Sequence, residues 1–109
     1  MTTALTLANE SQIAQFRDEQ QAGKNSGNLA LTTAAGLRLA VASGEPETVA
    51  SYLLREMGIS AAVRESSAGI AIATRTHQSF TSVHRALRGA YKVATAMTED
   101  GRTAIQILA

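Results

Sequence analysis

His77 and His84 are the only histidines in the chain, and they stand seven positions apart in a stretch from Arg75 to Lys92. That stretch also holds four of the ten Lys and Arg residues, namely Arg75, Arg85, Arg88 and Lys92. Two histidines can hold a metal ion only if their rings converge. Seven residues are two helical turns, so these side chains stand roughly 10 Å apart, too far to share one ion. No carboxylate lies in the same segment, and the absence of cysteine removes thiolate ligands, thiol nucleophiles and disulfides together. No metal and no cofactor is expected.

Catalysis by acid and base needs positioned carboxylates, histidines or amines in a cleft. The two aspartates, Asp18 and Asp100, fall on an expected exposed helix face and in an expected turn. No pair of carboxylates is spaced to converge from strands, and no nucleophile-elbow pattern appears. Glu65-Ser66-Ser67 reads as a turn. Gly23-Lys24-Asn25-Ser26-Gly27 has a Gly-Lys pair and a nearby serine, but it lacks the spacing and preceding strand of a phosphate loop. The sequence therefore predicts no catalytic residue and no enzyme. A small enzyme with an unrecognised site stands as the third reading.

Charge is more informative. From Ser66 to Thr98 there is no Asp or Glu. On a helical wheel His77, Thr81, His84, Arg85, Arg88 and Lys92 share one side, while Phe80, Val83, Leu87 and Ala90 or Tyr91 share the other. A purely cationic polar side, with Arg75 joining from the preceding strand, could contact phosphates or carboxylates. The candidate partner-binding residues are thus Arg75, His77, His84, Arg85, Arg88 and Lys92. The competing reading is a solvated face, since Arg88 and Lys92 also complement the negative end of the helix dipole. The net charge of +1 makes any polyanion site a local patch. No aromatic platform interleaves the cations and no helix-turn-helix or zinc-finger pattern is present.

The expected function is that of a small non-enzymatic binding or regulatory protein acting through this cationic helix. The partner is a nucleic acid or nucleoprotein. The alternative partner is an acidic protein surface, which would make the chain an inhibitor or adaptor; by association, an accessory protein of a phage or mobile element would have this character. No stretch approaches about 18 apolar residues, so no membrane span is expected. "MTTALTLANESQ" has no basic region or long apolar run, and the cysteine-free composition fits a reducing compartment. A cytoplasmic location follows as an expectation.

The elements that would carry these residues are legible from periodicity. The chain has 109 residues, 45% of them apolar and 17% charged, as in one globular domain. Helical spacing appears in "NESQIAQFRDEQQAG", with Asn9 and Gln12 placed as a capping box and Gly23 as a stop. It appears again after Pro46, through Val49, Tyr52, Leu53 and Met57 to Gly58, and a third time in the cationic segment, capped by Thr76 or Ser79. Alternating segments flank Ala34-Ala35-Gly36, then Ser66 to Gly69, then Glu99-Asp100-Gly101, each reading as a hairpin.

The turn glycines Gly36, Gly69 and Gly101 recur at intervals of 33 and 32 residues. The fold class expected is α+β: three successive αββ units, at about 9–43, 44–75 and 76–109, forming a mainly antiparallel sheet with helices on one face. The open face would carry Arg38, Ala40, Ala71, Ala73, Ala104 and Gln106, a surface suited to a homodimer. The competing reading makes "LTTAAGLRLAVAS" a helix, and extends the third helix through "VATAM" from Gln78 to Met97. Charge is segregated, with the first two helices acidic and the third cationic.

Overall fold

The computed structural model describes residues 8–66, 69–98 and 100–108. It is an α+β protein with four helices and one four-stranded antiparallel sheet among those residues. The first helix, α1 (Glu10–Ser26), starts as its sequence dictates. The Asn9 side chain accepts from the Gln12 N–H at 2.9 Å, and the Gln12 side chain accepts from the Asn9 N–H at 3.0 Å. It does not stop at Gly23. It runs one further turn and ends on Gly27 (φ 72°), where the Asn28 N–H closes onto the Gly23 carbonyl at 2.8 Å.

Asn28 then caps the next helix through the Leu31 N–H. That helix is α2 (Leu29–Ala42), and it corrects the first αββ unit: residues 9–43 form a helical pair and not a helix with a hairpin. The reason lies in composition and packing. The segment is rich in alanine and leucine, the strongest helix formers, and Leu37, Ala40 and Val41, spaced three and four apart, are buried together. Gly36 is therefore no turn glycine. It sits where Tyr52 of α3 (Pro46–Met57) crosses α2, and the Tyr52 hydroxyl donates to the Thr33 carbonyl at 2.8 Å.

The other two segments contain the expected hairpins. Strands β1 (Ala61–Ser66) and β2 (Gly69–Thr74) follow α3; α4 (His77–Leu87) comes next, then β3 (Lys92–Met97) and β4 (Thr103–Leu108). Val93–Met97 is strand and does not extend α4. The helix ends at Leu87, and the β-branched Val93 and Thr95 pair with Ile107 and Ile105. The strand order is β1-β2-β4-β3, so the second strands of the two hairpins meet at the centre, with Ile70 opposite Ile107 and Ile72 opposite Ile105.

One apolar cluster joins sheet and helices, including Phe16, Leu37, Val41, Leu53, Ile70, Ile72, Leu87 and Ile107. α3 packs on β1, α4 packs on β2 and β4, and α1 packs on α2. β3 makes its main contacts with β4 alone. The opposite sheet face is built from small residues, because the pairing aligns Ala62, Ala73, Ala104 and Ala96 in one row and Arg64, Ala71, Gln106 and Ala94 in the next. Arg38 and Ala40, expected on that face, belong to α2 instead. No helix among the described residues is long and apolar enough to cross a membrane.

Candidate macromolecule-binding face

The helix α4 is fixed at its start by Thr76, whose hydroxyl accepts from the Ser79 N–H at 3.1 Å. Val83, Ala86 and Leu87 are buried, which turns His77, Arg85 and Arg88 outward. Arg75 and His77 are exposed at the N-terminal end, and His84 (half-buried), Arg85 and Arg88 cluster at the C-terminal end. At 1.5 Å per residue the rise from His77 is roughly 10 Å to His84 and roughly 16 Å to Arg88.

Lys92 parts from both groups. It opens β3 and lies in register with Leu108, and strand alternation from Val93, which packs against the core, puts it on the open sheet face. The expected single patch of six is thus three groups: Arg75 with His77, His84 with Arg85 and Arg88, and Lys92 alone.

The two histidines flank Phe80. The His77 and Phe80 ring centroids are 6.4 Å apart, those of Phe80 and His84 are 5.6 Å apart, and both pairs are stacked. The sandwiched phenyl keeps the imidazoles from one shared ion. Among the described residues, no three His, Asp or Glu side chains are grouped to hold a metal. Phe80 is half-buried against the core and stacks with both histidines, so it is not an isolated exposed platform for a base. Phe80 therefore lies beside the histidines and not on the side of the helix opposite them, because the His-x2-Phe-x3-His spacing places all three rings in one row.

Among the described residues the ion pairs are Arg38 with Glu19 and Arg102 with Asp100, each at 3.0 Å. Neither involves a candidate cation. Arg85 does, however, line a groove of about 430 Å³ between α2, the end of α3 and α4. Leu29, Thr33, Arg38, Met57 and Ala86 are other walls of it, and Leu29 is 79% exposed. Alternation in the sequence places Leu29 and Arg38 in strands, whereas both lie on α2, so the groove is not legible from the sequence.

Arg38 braces the groove from below. Its Nε donates to the Ala86 carbonyl at 2.8 Å while its Nη1 meets Glu19, so one guanidinium ties α1, α2 and α4 together. The backbone carbonyl of Arg38 accepts from the Tyr91 hydroxyl at 2.8 Å. Burial pushes the Tyr91 phenol up to about 12, an effect that the nearby Arg38 charge partly opposes.

A second groove, of about 580 Å³, lies along the sheet between Arg64, the alanine row and the β3–β4 turn. Asp100 in that turn is held below the usual carboxylate range, first by a hydrogen bond from the Thr98 hydroxyl and then by Arg102. Comparisons of the chain with protein-family models, with curated proteins and with solved structures find no match.

Proposed function

We propose that this chain is a small non-enzymatic binding protein that engages a macromolecular partner with the outer side of α4. The observation that carries the reading is the groove beside α4. It sets an exposed leucine, Leu29, next to Arg85, which has no ion-pair partner among the described residues. A concave apolar strip with a cation on its rim matches a protein segment that presents an apolar anchor beside a carboxylate. The partner is therefore an acidic protein surface, and the chain acts as an adaptor or inhibitor by occupying it. The two αββ segments, with α3 and α4 laid on the apolar side of the sheet, are the scaffold that holds the groove open.

A nucleic acid is the second reading. It is supported by the exposure of Arg75, Arg85 and Arg88 along a segment without carboxylates. Separation of these cations into two ends of the helix argues for few simultaneous phosphate contacts and hence a shallow salt dependence.

Both readings meet one experiment. The immobilised chain captures partners from lysate, with and without nuclease, beside Leu29→Ser, Arg85→Ala and the control Arg17→Ala. Capture that survives nuclease, is lost with Leu29→Ser and Arg85→Ala, and is kept by Arg17→Ala supports the protein partner. Loss on nuclease treatment, with indifference to Leu29→Ser, moves the assignment to nucleic acid. Capture unchanged by Leu29→Ser and Arg85→Ala under every condition overturns the role of α4.

A further inference from the structure

The strand β3 is an edge of the sheet, and both of its sides are open. α3 covers β1 at the other edge, whereas β3 is exposed at every position but Val93, which is half-buried. Met97 is 75% exposed and is the one large apolar side chain of the sheet so exposed among the described residues. The strand's one charge is Lys92 at its first position, and from Val93 to Met97 it has no charge, no proline and no glycine. Proteins usually blunt such an edge with lysine, proline or a bulge, because its unpaired N–H and C=O groups are a template for another strand.

The direction of those groups follows from the hairpin. The Thr98 N–H donates to the Arg102 carbonyl at 2.8 Å, so Thr98 faces β4. Backbone groups alternate along a strand, so Ala96, Ala94 and Lys92 also face β4, and the N–H and C=O of Val93, Thr95 and Met97 point out of the sheet.

We infer that β3 pairs with β3 of a second copy of this chain, antiparallel and centred on Thr95, to join two four-stranded sheets into one. The strand is complementary to itself in this register. Val93 falls opposite Met97 of the second copy, Thr95 opposite Thr95, and Met97 opposite Val93, so all three outward-facing residues of each strand meet their like. Each facing pair makes two hydrogen bonds. A shift by two residues loses a pair. A shift by one sets outward-facing groups against inward-facing ones and reverses the faces.

Side chains agree with the backbone. Val93, Thr95 and Met97 share the helix side of the sheet, so exposed Met97 gains a partner in Val93 and the core continues across the interface. On the other side Ala94 meets Ala96, and no like charges oppose one another. Lys92 meets the uncharged Thr98 of the second copy at both ends of the ladder, beside a turn whose Asp100 is paired with Arg102.

The inference is independent of the partner bound at α4, and solution mass tests it. Light scattering is recorded on the parent, Thr95→Pro, Thr95→Lys and Ala73→Arg from about 1 µM to about 1 mM, the usual range for weak self-association. Thr95→Pro removes an outward-facing N–H and spares the β4 ladder; Thr95→Lys sets two ammonium groups face to face. The parent is expected to approach twice the monomer mass, as is Ala73→Arg on the open sheet face, while both Thr95 variants stay monomeric with the parent's circular dichroism. If Thr95→Pro misfolds, Thr95→Lys carries the test, together with parent amide exchange. The amides of Val93, Thr95 and Met97 are expected to slow as concentration rises. A parent that is monomeric throughout, a dimer that persists in Thr95→Lys, or a dimer dissolved by Ala73→Arg and not by the Thr95 variants overturns the inference.

Discussion

Replacing Gly36 by alanine separates the helical structure of residues 29–42 from a hairpin, and it does so by sign. Gly36 lies in α2 and does not have a positive φ, so its backbone accepts alanine. On helix propensity alone Gly36→Ala gains about 1 kcal/mol. A Cβ at this position, however, would overlap the Tyr52 hydroxyl, stand 2.6 Å from Tyr52 Cζ and 2.9 Å from Gln20 Nε2. The ring must move, and its hydrogen bond to the Thr33 carbonyl is lost. Overpacking costs about 1–3 kcal/mol, and the lost hydrogen bond costs about 1 kcal/mol. After subtraction of the propensity gain, Gly36→Ala destabilises by about 1–3 kcal/mol.

The assay is urea unfolding of a double-mutant cycle with Tyr52→Leu, which removes the overlapping atoms. In that background the overlap with the ring is gone and only the flexible end of Gln20 must shift, so Gly36→Ala is expected to stabilise by up to about 1 kcal/mol. A destabilisation of equal size in both backgrounds refutes the crossing of α2 by Tyr52. It would return Gly36 to the role of a turn glycine.

The remaining predictions concern Tyr91 and Arg38. Burial raises the folded-state pKa of Tyr91 to about 12, against 10.0 for an exposed phenol. The stability this contributes is complete below pH 10 and is lost as the pH rises from 10 towards 12, because the unfolded chain releases the proton first; the loss is about 2–3 kcal/mol. Tyr52 is raised in the same direction, mainly by burial and then by Glu56, so the comparison is between the parent and Tyr91→Phe. Tyr91→Phe is expected to cost about 1 kcal/mol at neutral pH for the bond to Arg38 and to lose less at high pH; parallel alkaline curves count against the assignment. Arg38→Met removes the donor to the Ala86 carbonyl and the pair with Glu19, and is expected to cost about 1–3 kcal/mol by thermal or urea unfolding. Stability unchanged in Arg38→Met would show that Arg38 does not brace the groove.

Local signals in the sequence were reliable where one element supplies both halves of the reason. Asn9 with Gln12, Pro46 at the first turn of α3, Thr76 at the start of α4, and Gly101 (φ 83°) in the last turn each act within a few residues, and each is found in place. Failures arose where the reason lies on another element. Leu37, Leu39 and Val41 fit a strand by alternation, yet Leu37 and Val41 also fit a helix, and Leu39 is only partly buried. The third dimension made the choice, through Tyr52 crossing at Gly36.

Gly23 misled for the same reason. It resembles a stop, but it is a close approach to Thr32 of α2, where a Cβ would stand 2.5 Å from the Thr32 hydroxyl, and the αL cap is Gly27. The candidate site suffered similarly. Its cations were visible, but the sheet that sets Lys92 apart and the groove that adds Leu29 and Arg38 to Arg85 depend on pairing and packing at long range.

The strand order carries a consequence in time. β2 needs β4 on its second side, and Ile105 follows its neighbour Ile72 by 33 positions in the sequence. At about 5–20 residues per second, a ribosome takes roughly 2–7 s to supply that neighbour. During this interval β2 is itself a bare edge, and it is the most apolar strand of the sheet. The nascent chain thus passes through a stage in which its future centre is its most adhesive border, and the arrival of β4 ends it.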